Sequence, residues 1–221
     1  MYNDLMPNNS YEIRVCESCG LRYPLSSEHP FGTRCPICMG DTHLILSRQL
    51  VTEPTHPLTR GLHSERNEMT VLLDNIRSAW NVGSIFRSAD GFRFRHAYLC
   101  GFTPTPENDA VTKTSLGAED SVSWSYHKDA VKLVKGLKKE GWSIFALEED
   151  KKAKHVNSAS NAVATSAQRA VLIVGNEISG VDPDLLNLCD EIFYIPMRGE
   201  KKSFNVAVAF GIAAYALNHE N

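Results

Sequence analysis

From residue 69 onward, short apolar, β-branched runs alternate with stretches whose apolar positions recur every three or four residues. The runs at 70–73, 96–100, 143–147, 170–174 and 191–195 read as strands. The stretches at 82–92, 129–140, 183–189 and 205–217 read as helices. Strands separated by helical patterns indicate an α/β fold, with a mostly parallel sheet covered on both faces. The last stretch, from Val206 to Leu217, is rich in small residues and almost wholly apolar. It is expected to be deeply buried or to lie in a subunit interface.

Before residue 69 the pattern is different. Residues 1–47 carry Cys16-x2-Cys19-x15-Cys35-x2-Cys38, a spacing that suits a structural Zn²⁺ held by four thiolates. Each knuckle turns two sulfurs toward one point, and Gly20, Pro36 and Gly40 supply tight-turn residues. So short a segment has little apolar surface, so the metal is expected to supply much of its folding free energy. Four cysteines satisfy the ion, which leaves His29 and His43 as surface residues. Cys100 and Cys189 sit in apolar stretches and are expected to be buried free thiols. Residues 48–68, with Pro54, Pro57 and Gly61 and no clear period, read as a linker. The expected division is therefore a ribbon-like zinc domain at 1–47, the linker, and an α/β domain at 69–221.

The 221 residues are 43% hydrophobic and 22% charged, as in ordinary globular proteins. No run approaches the roughly 18–20 apolar residues of a membrane span, and the N-terminus lacks signal-peptide character. A cytoplasmic location is expected, and it disfavours disulfides. A net charge of −3 argues against wholesale attraction to nucleic acid, although a local basic face would suffice. Lys128, Lys132, Lys135 and Lys139 align on one side of a helix, with Val131, Val134 and Leu137 on the other. That face is open to two readings, a solvated surface or a nucleic-acid contact.

Three polar loops follow strands, where ligands of open α/β sheets bind. In the first, Asn81 is a candidate helix cap, and Gly83 permits close approach. Arg87 stands among Ile85, Phe86 and Ala89, either paired structurally or presented to an anion such as phosphate. In the second, Gly175-Asn-Glu-Ile-Ser-Gly180, Glu177 follows a buried strand and can accept backbone N–H groups. In the third, Met197 to Val206, Ser203 or Asn205 can cap the final helix. Glycine-rich dinucleotide and P-loop motifs, His-Glu-x-x-His and Gly-x-Ser-x-Gly are all missing. The eight histidines form no ligand-spaced cluster; His56, His63, His96 and His127 fall in different segments.

At these loops the chain resembles the TrmH (SpoU) branch of the SPOUT RNA methyltransferases. Three motifs occur in the family's order: Asp74-Asn-Ile-Arg with Asn81-Val-Gly-Ser-Ile-Phe-Arg-Ser-Ala-Asp90, Leu172-Ile-Val-Gly-Asn-Glu-Ile-Ser-Gly180, and Ile195-Pro-Met-Arg-Gly-Glu-Lys-Lys-Ser-Phe-Asn-Val-Ala-Val-Ala209. Lys113-Thr-Ser-Leu-Gly-Ala-Glu119 also looks like a stretch of this family. The resemblance implies a C-terminal trefoil knot and a homodimer. It implies S-adenosylmethionine bound by Gly175, Ile195, Met197, Ser203 and Phe204, the last replacing a more usual leucine. It implies methylation of ribose 2′-hydroxyls of tRNA or rRNA, with Arg87 engaging the substrate and Asn81, Glu177, Ser203 and Asn205 supporting the site. Two rivals are a catalytically silent dimeric RNA-binding protein that uses the zinc ribbon, and a SPOUT enzyme acting on a base nitrogen. The zinc segment itself is open to an RNA-binding role or a purely structural one.

Overall fold

The computed structural model describes residues 10–26, 32–49, 68–165 and 169–218, with only the backbone at 163–165. The chain divides into two compact units, Met1–His63 and Ser64–Asn221. Of the expected linker, residues 48–49 lie in a strand of the first unit and Glu68 opens a strand of the second. The remainder of the linker, with His56 and His63, lies outside the described residues, as does His29.

The first unit is an antiparallel sheet of β1 (Ser10–Cys16), β2 (Arg22–Ser26) and β3 (Thr42–Gln49), in the order β2-β1-β3. Arg14 anchors its middle. The guanidinium pairs with Glu12 at 2.6 Å and donates to the Thr42 hydroxyl at 2.8 Å. Among the described residues the buried apolar set of this unit is small: Tyr23, Leu25, Cys16 and Cys35. Leu44 and Ile45 of β3 are exposed.

The second unit is a seven-stranded sheet of β4 (Glu68–Asp74), β5 (His96–Cys100), β6 (Ser123–His127), β7 (Ser143–Leu147), β8 (Lys154–His155), β9 (Arg169–Val174) and β10 (Glu191–Tyr194). The order is β6-β5-β4-β9-β7-β10-β8, and each neighbouring pair is parallel. The sheet is thus wholly rather than mostly parallel. Its carboxyl ends all open on one side.

Alternation within the strands explains the apolar runs. Met69, Val71 and Leu73 of β4 and Ala170, Leu172 and Val174 of β9 enter one core. Leu72, Val171 and Ile173 enter the core on the opposite face. A strand buried on both sides selects a continuous apolar run. The first core is covered by α1 (Ala79–Gly91), α2 (Asp109–Ser115), α3 (Ala118–Ser121), α5 (Ala159–Thr165) and α7 (Val206–Asn218). The second is covered by α4 (Ala130–Lys139) and α6 (Pro183–Leu186).

Gly83 marks the tightest helix contact. A Cβ there would lie 2.3 Å from the Val111 carbonyl oxygen of α2, so only glycine permits this approach. Helix α7 buries Val206, Phe210, Ala213, Ala214 and Leu217, but leaves Val208 and Tyr215 exposed. Its sequence is apolar on both sides, yet only one side meets this chain's core. Cys100 is fully buried, whereas Cys189 is only half-buried.

Candidate functional site

The site is built where β4, β7, β9 and β10 end. Strand β4 ends on Asp74, 2% exposed, whose carboxylate accepts the Asp182 N–H at 3.0 Å and the Asn75 amide at 2.8 Å. Burial pushes its pKa up. Asn75 takes a left-handed conformation, φ 56°, and its carbonyl accepts the Asn176 side chain at 2.6 Å. The first two loops are thereby fastened together.

Asn81 does not cap α1. Ser78 does, its hydroxyl accepting the Asn81 N–H at 3.3 Å, because the helix begins a turn earlier than its apolar period suggests. The Asn81 side chain is thus free to bridge. Its amide donates to Glu177 at 2.9 Å, and its oxygen accepts from Asn205 at 3.0 Å. Glu177 also accepts the N–H groups of Arg77 at 2.9 Å and Ser78 at 3.2 Å, at the start of α1. Partial burial works against its charge, but these donors, led by Arg77, hold its pKa below the usual carboxylate value. The positive end of the helix dipole acts in the same direction.

The Glu177 loop is stiff. Asn176 and Gly180 exchange backbone hydrogen bonds of 3.0 and 2.9 Å, while the Asn176 side chain accepts from Ile178 and Ser179. Glu148, directly after β7, accepts the Val181 N–H at 2.9 Å and donates its own N–H to Phe193 of β10. It ties the second loop to the strand that leads into the third. Sequence reading missed this residue, although a carboxylate immediately after an apolar strand is the signal that picked out Glu177. Gly175 has backbone on its open side. A Cβ would sit 2.2 Å from the Val181 nitrogen and 2.3 Å from the Gly180 carbonyl carbon. Gly175→Ala should therefore displace the loop, with a thermal-unfolding loss of about 1–3 kcal/mol; an unchanged melting temperature would show that the loop yields freely.

In the third loop Ile195 and Met197 are half-buried, and Ser203, Phe204 and Asn205 are exposed. Asn205, rather than Ser203, caps α7, its side-chain oxygen accepting from Ala207 at 2.9 Å and Val208 at 3.4 Å. Direct hydrogen bonds thus join Asn81, Glu177 and Asn205. Ser203 and Phe204 reach this network only as chain neighbours of Asn205. Arg87, a turn and a half beyond Asn81, is exposed, and its side chain makes no hydrogen bond or ion pair with another described residue. Among those residues, the structural reading of Arg87 has no partner to rest on.

Lys128, Lys132, Lys135 and Lys139 are exposed, while Val134 and Leu137 are buried. Lys128 precedes α4, whose N-cap is Asp129. The histidines are less scattered than the sequence suggests. The β5–β6 register brings His96 and His127 onto one hydroxyl, that of Ser125, each at 2.8 Å.

In the first unit the four sulfurs of Cys16, Cys19, Cys35 and Cys38 lie within 4.8 Å of one another. The closest pairs are Cys16 with Cys38 at 3.4 Å and Cys19 with Cys35 at 3.6 Å. A tetrahedral ion with sulfurs at about 2.3 Å requires edges of about 3.8 Å. The arrangement fits one such ion. The N–H of Cys19 leads the groups that pull the buried Cys16 thiol down to about 6, and the N–H of Cys38 leads for Cys35. Cys38, despite the Gly40 N–H, is pushed up to about 12 by the sulfurs of Cys16 and Cys19.

Comparison with known proteins places this site in a family. The sequence profile of the SpoU rRNA Methylase family matches residues 68–215, within the second unit. The tRNA (guanosine(18)-2'-O)-methyltransferase of Aquifex aeolicus is 27% identical over 175 residues, 78% of this chain and 77% of that protein. The 23S rRNA (guanosine(2553)-2'-O)-methyltransferase RlmP of Bacillus subtilis is 29% identical over 147 residues, covering 66% of this chain and 56% of that one. In fold, the AdoMet-bound rRNA methyltransferase from Sinorhizobium meliloti superposes with a TM-score of 0.63 at 22% identity, over 77% and 62% of the two chains. With all three motif loops inside the matched residues, the chain belongs to the SpoU rRNA methylase family.

Proposed function

We propose that the protein is an S-adenosylmethionine-dependent methyltransferase acting on a ribose 2′-hydroxyl of tRNA or rRNA. The observation that carries this reading is the Glu177–Asn81–Asn205 network, which joins three loops inside the family's matched region. The loops at Gly175 and at Ile195–Phe204 would hold the cofactor between them, Ile195, Met197 and Phe204 offering apolar surface and Gly175 and Ser203 close-lying backbone. When bound, the sulfonium supplies an electrophilic methyl group. The chain's own task is to align the hydroxyl in line and to assist loss of its proton. The Arg87 side chain has no partner among the described residues and is free to meet the RNA. With an ordinary pKa above about 12, its guanidinium orients phosphate and hydroxyl and stabilises charge, acting as a base only with help from the phosphate. Asn81, Glu177 and Asn205 keep α1 in place beneath Arg87.

The proposal extends to a trefoil knot in the C-terminal part of the sheet and to a homodimer. Trp80 of α1 and Val208 and Tyr215 of α7 are exposed apolar side chains, and Tyr215 meets Phe92 edge to face at 6.4 Å. A partner covering them would explain the bare face of α7. Residues 1–47 are assigned a structural zinc ribbon that contacts RNA, and 69–221 the catalytic domain. The lysine face on α4 is assigned to RNA phosphates. Among the described residues no helix is long and apolar enough to cross a membrane, and the proposed setting is the cytoplasm.

Incubation with labelled cofactor and fractionated tRNA and rRNA tests the reaction. A 2′-O-methyl group blocks alkaline cleavage at its nucleotide, so one fraction should gain an alkali-resistant linkage. Label that appears only in a methylated base after digestion to nucleosides would move the reaction to a base nitrogen, and no label in any fraction would remove it.

A further inference from the structure

We propose that Phe102 and Tyr126, continued by Lys128 and Lys132, form a binding tract for an unpaired RNA segment beside the target nucleotide. This rests on the reading that RNA is the substrate, and it adds a preference for single strands over duplex.

Phe102 is 61% exposed and Tyr126 47% exposed, at the carboxyl ends of neighbouring strands. Both stand in the open, the Tyr126 ring fixed through its hydroxyl and Phe102 through its backbone. The Tyr126 hydroxyl donates to the Gly101 carbonyl at 2.8 Å, and the Gly101 N–H donates to the His127 carbonyl at 3.0 Å. The Phe102 N–H donates to the Asn75 side chain at 3.3 Å. Gly101, at φ 65°, allows that fit, since a Cβ there would lie 1.9 Å from the same Asn75 oxygen. Asn75 is in turn bonded to Asn176 of the Glu177 loop. The aromatic pair is thus tethered to the candidate active site.

Among the described residues β6 pairs only with β5 and so forms an edge of the sheet, and beyond Tyr126 the chain passes directly into α4. A groove of about 560 Å³ begins there, with His127, Lys128 and Lys132 at its near end and Glu140 at its far end. The Asp129 carboxylate in this groove is occupied in capping α4, where it accepts the Lys132 N–H at 2.9 Å. The near end therefore presents cations close in sequence to two exposed aromatic faces. Stacking platforms beside basic grooves suit unpaired nucleic acid, whose bases expose their π-faces, whereas a duplex hides them. The lysines match phosphates, which an apolar protein partner would lack.

The test is fluorescence anisotropy of the full chain with an end-labelled, mixed-sequence RNA of about twelve nucleotides, a length in the range such tracts cover, and with the same strand in a blunt duplex. The single strand should bind more tightly. Phe102→Ala and Tyr126→Ala should each weaken it about tenfold, in line with the loss of one stacked base, and Tyr126→Phe should restore most of the affinity. Lys132→Ala should flatten the salt dependence. The tract is refuted if the double variant Phe102→Ala/Tyr126→Ala, folded by circular dichroism, binds as the unaltered protein does, or if duplex binds as tightly as single strand. It is equally refuted if the variants change the sedimentation coefficient and leave RNA binding unchanged, which would assign the surface to a second copy of the chain. None of these readouts needs turnover, so failed methyl transfer by the unaltered protein counts against the function and not against the tract.

Discussion

Arg87→Ala abolishes methyl transfer, by a factor of at least about 10²–10³, in a protein that stays folded and still binds the cofactor: this is the expected result. The magnitude follows from removing a preorganised donor aimed at charge that develops in the transition state. The survival of the fold follows from position. Arg87 is exposed and has no partner among the described residues, whereas its neighbours Ile85, Phe86 and Ala89 fill the core. Truncation at such a surface site changes stability by about 0.5 kcal/mol or less. Cofactor binding by calorimetry and methyl incorporation into RNA, measured on one preparation, separate the two roles. Turnover within tenfold of the unaltered protein would remove Arg87 from the mechanism, while lost cofactor binding would make it part of the donor pocket. Arg87→Lys keeps the charge but lacks the planar fork, and should recover little.

The second large effect is on folding. Replacing Cys16 and Cys19 by serine should release one zinc per chain and unfold the first unit while the second remains native. Among the described residues the first unit buries little besides Tyr23, Leu25 and two of the cysteines themselves. Four-thiolate zinc sites contribute about 10–16 kcal/mol of apparent folding free energy in small peptides, far more than so small a core offers. The second unit has two cores of its own. Metal analysis combined with amide hydrogen exchange distinguishes the outcomes: rapid exchange confined to residues 10–49 supports the assignment, and a metal-free first unit with protected amides overturns it.

Much of the fold was legible because the inner strands are buried on both faces and so read as continuous apolar runs. Strand β6, Ser123-Trp-Ser-Tyr-His127, was not legible. As an edge strand it alternates small polar and aromatic residues and never forms such a run. Helix α2 is short and holds β-branched Val111, Thr112 and Thr114, which weakens its helical signal. The thiolate cluster could be read from spacing alone, since two local turns make it. The network of Asn81, Glu177 and Asn205 could not. Asn81 meets Glu177 across 96 positions and Asn205 across 124, and nothing local to any of the three residues names its partner. Asn81 is a cap candidate for the same reason: its local sequence offers only the nearest backbone, whereas its partners, Glu177 and Asn205, come from far along the chain.

The central place of β9 bears on the order in which the protein takes shape. Strand β4 is made early, yet one of its two neighbours comes about a hundred positions later, where Val71 lies beside Leu172. Strand β7 has the same late neighbour. Until β9 slots between them, both strands present unpaired, apolar edges, the kind of surface that recruits other chains. Such long-range pairing also slows folding. A chain that emerges N-terminus first would therefore carry the exposed β4 edge while the stretch from Asp74 to Arg169 is made. Truncations that end before residue 169 are expected to aggregate even though five of this sheet's seven strands are already present.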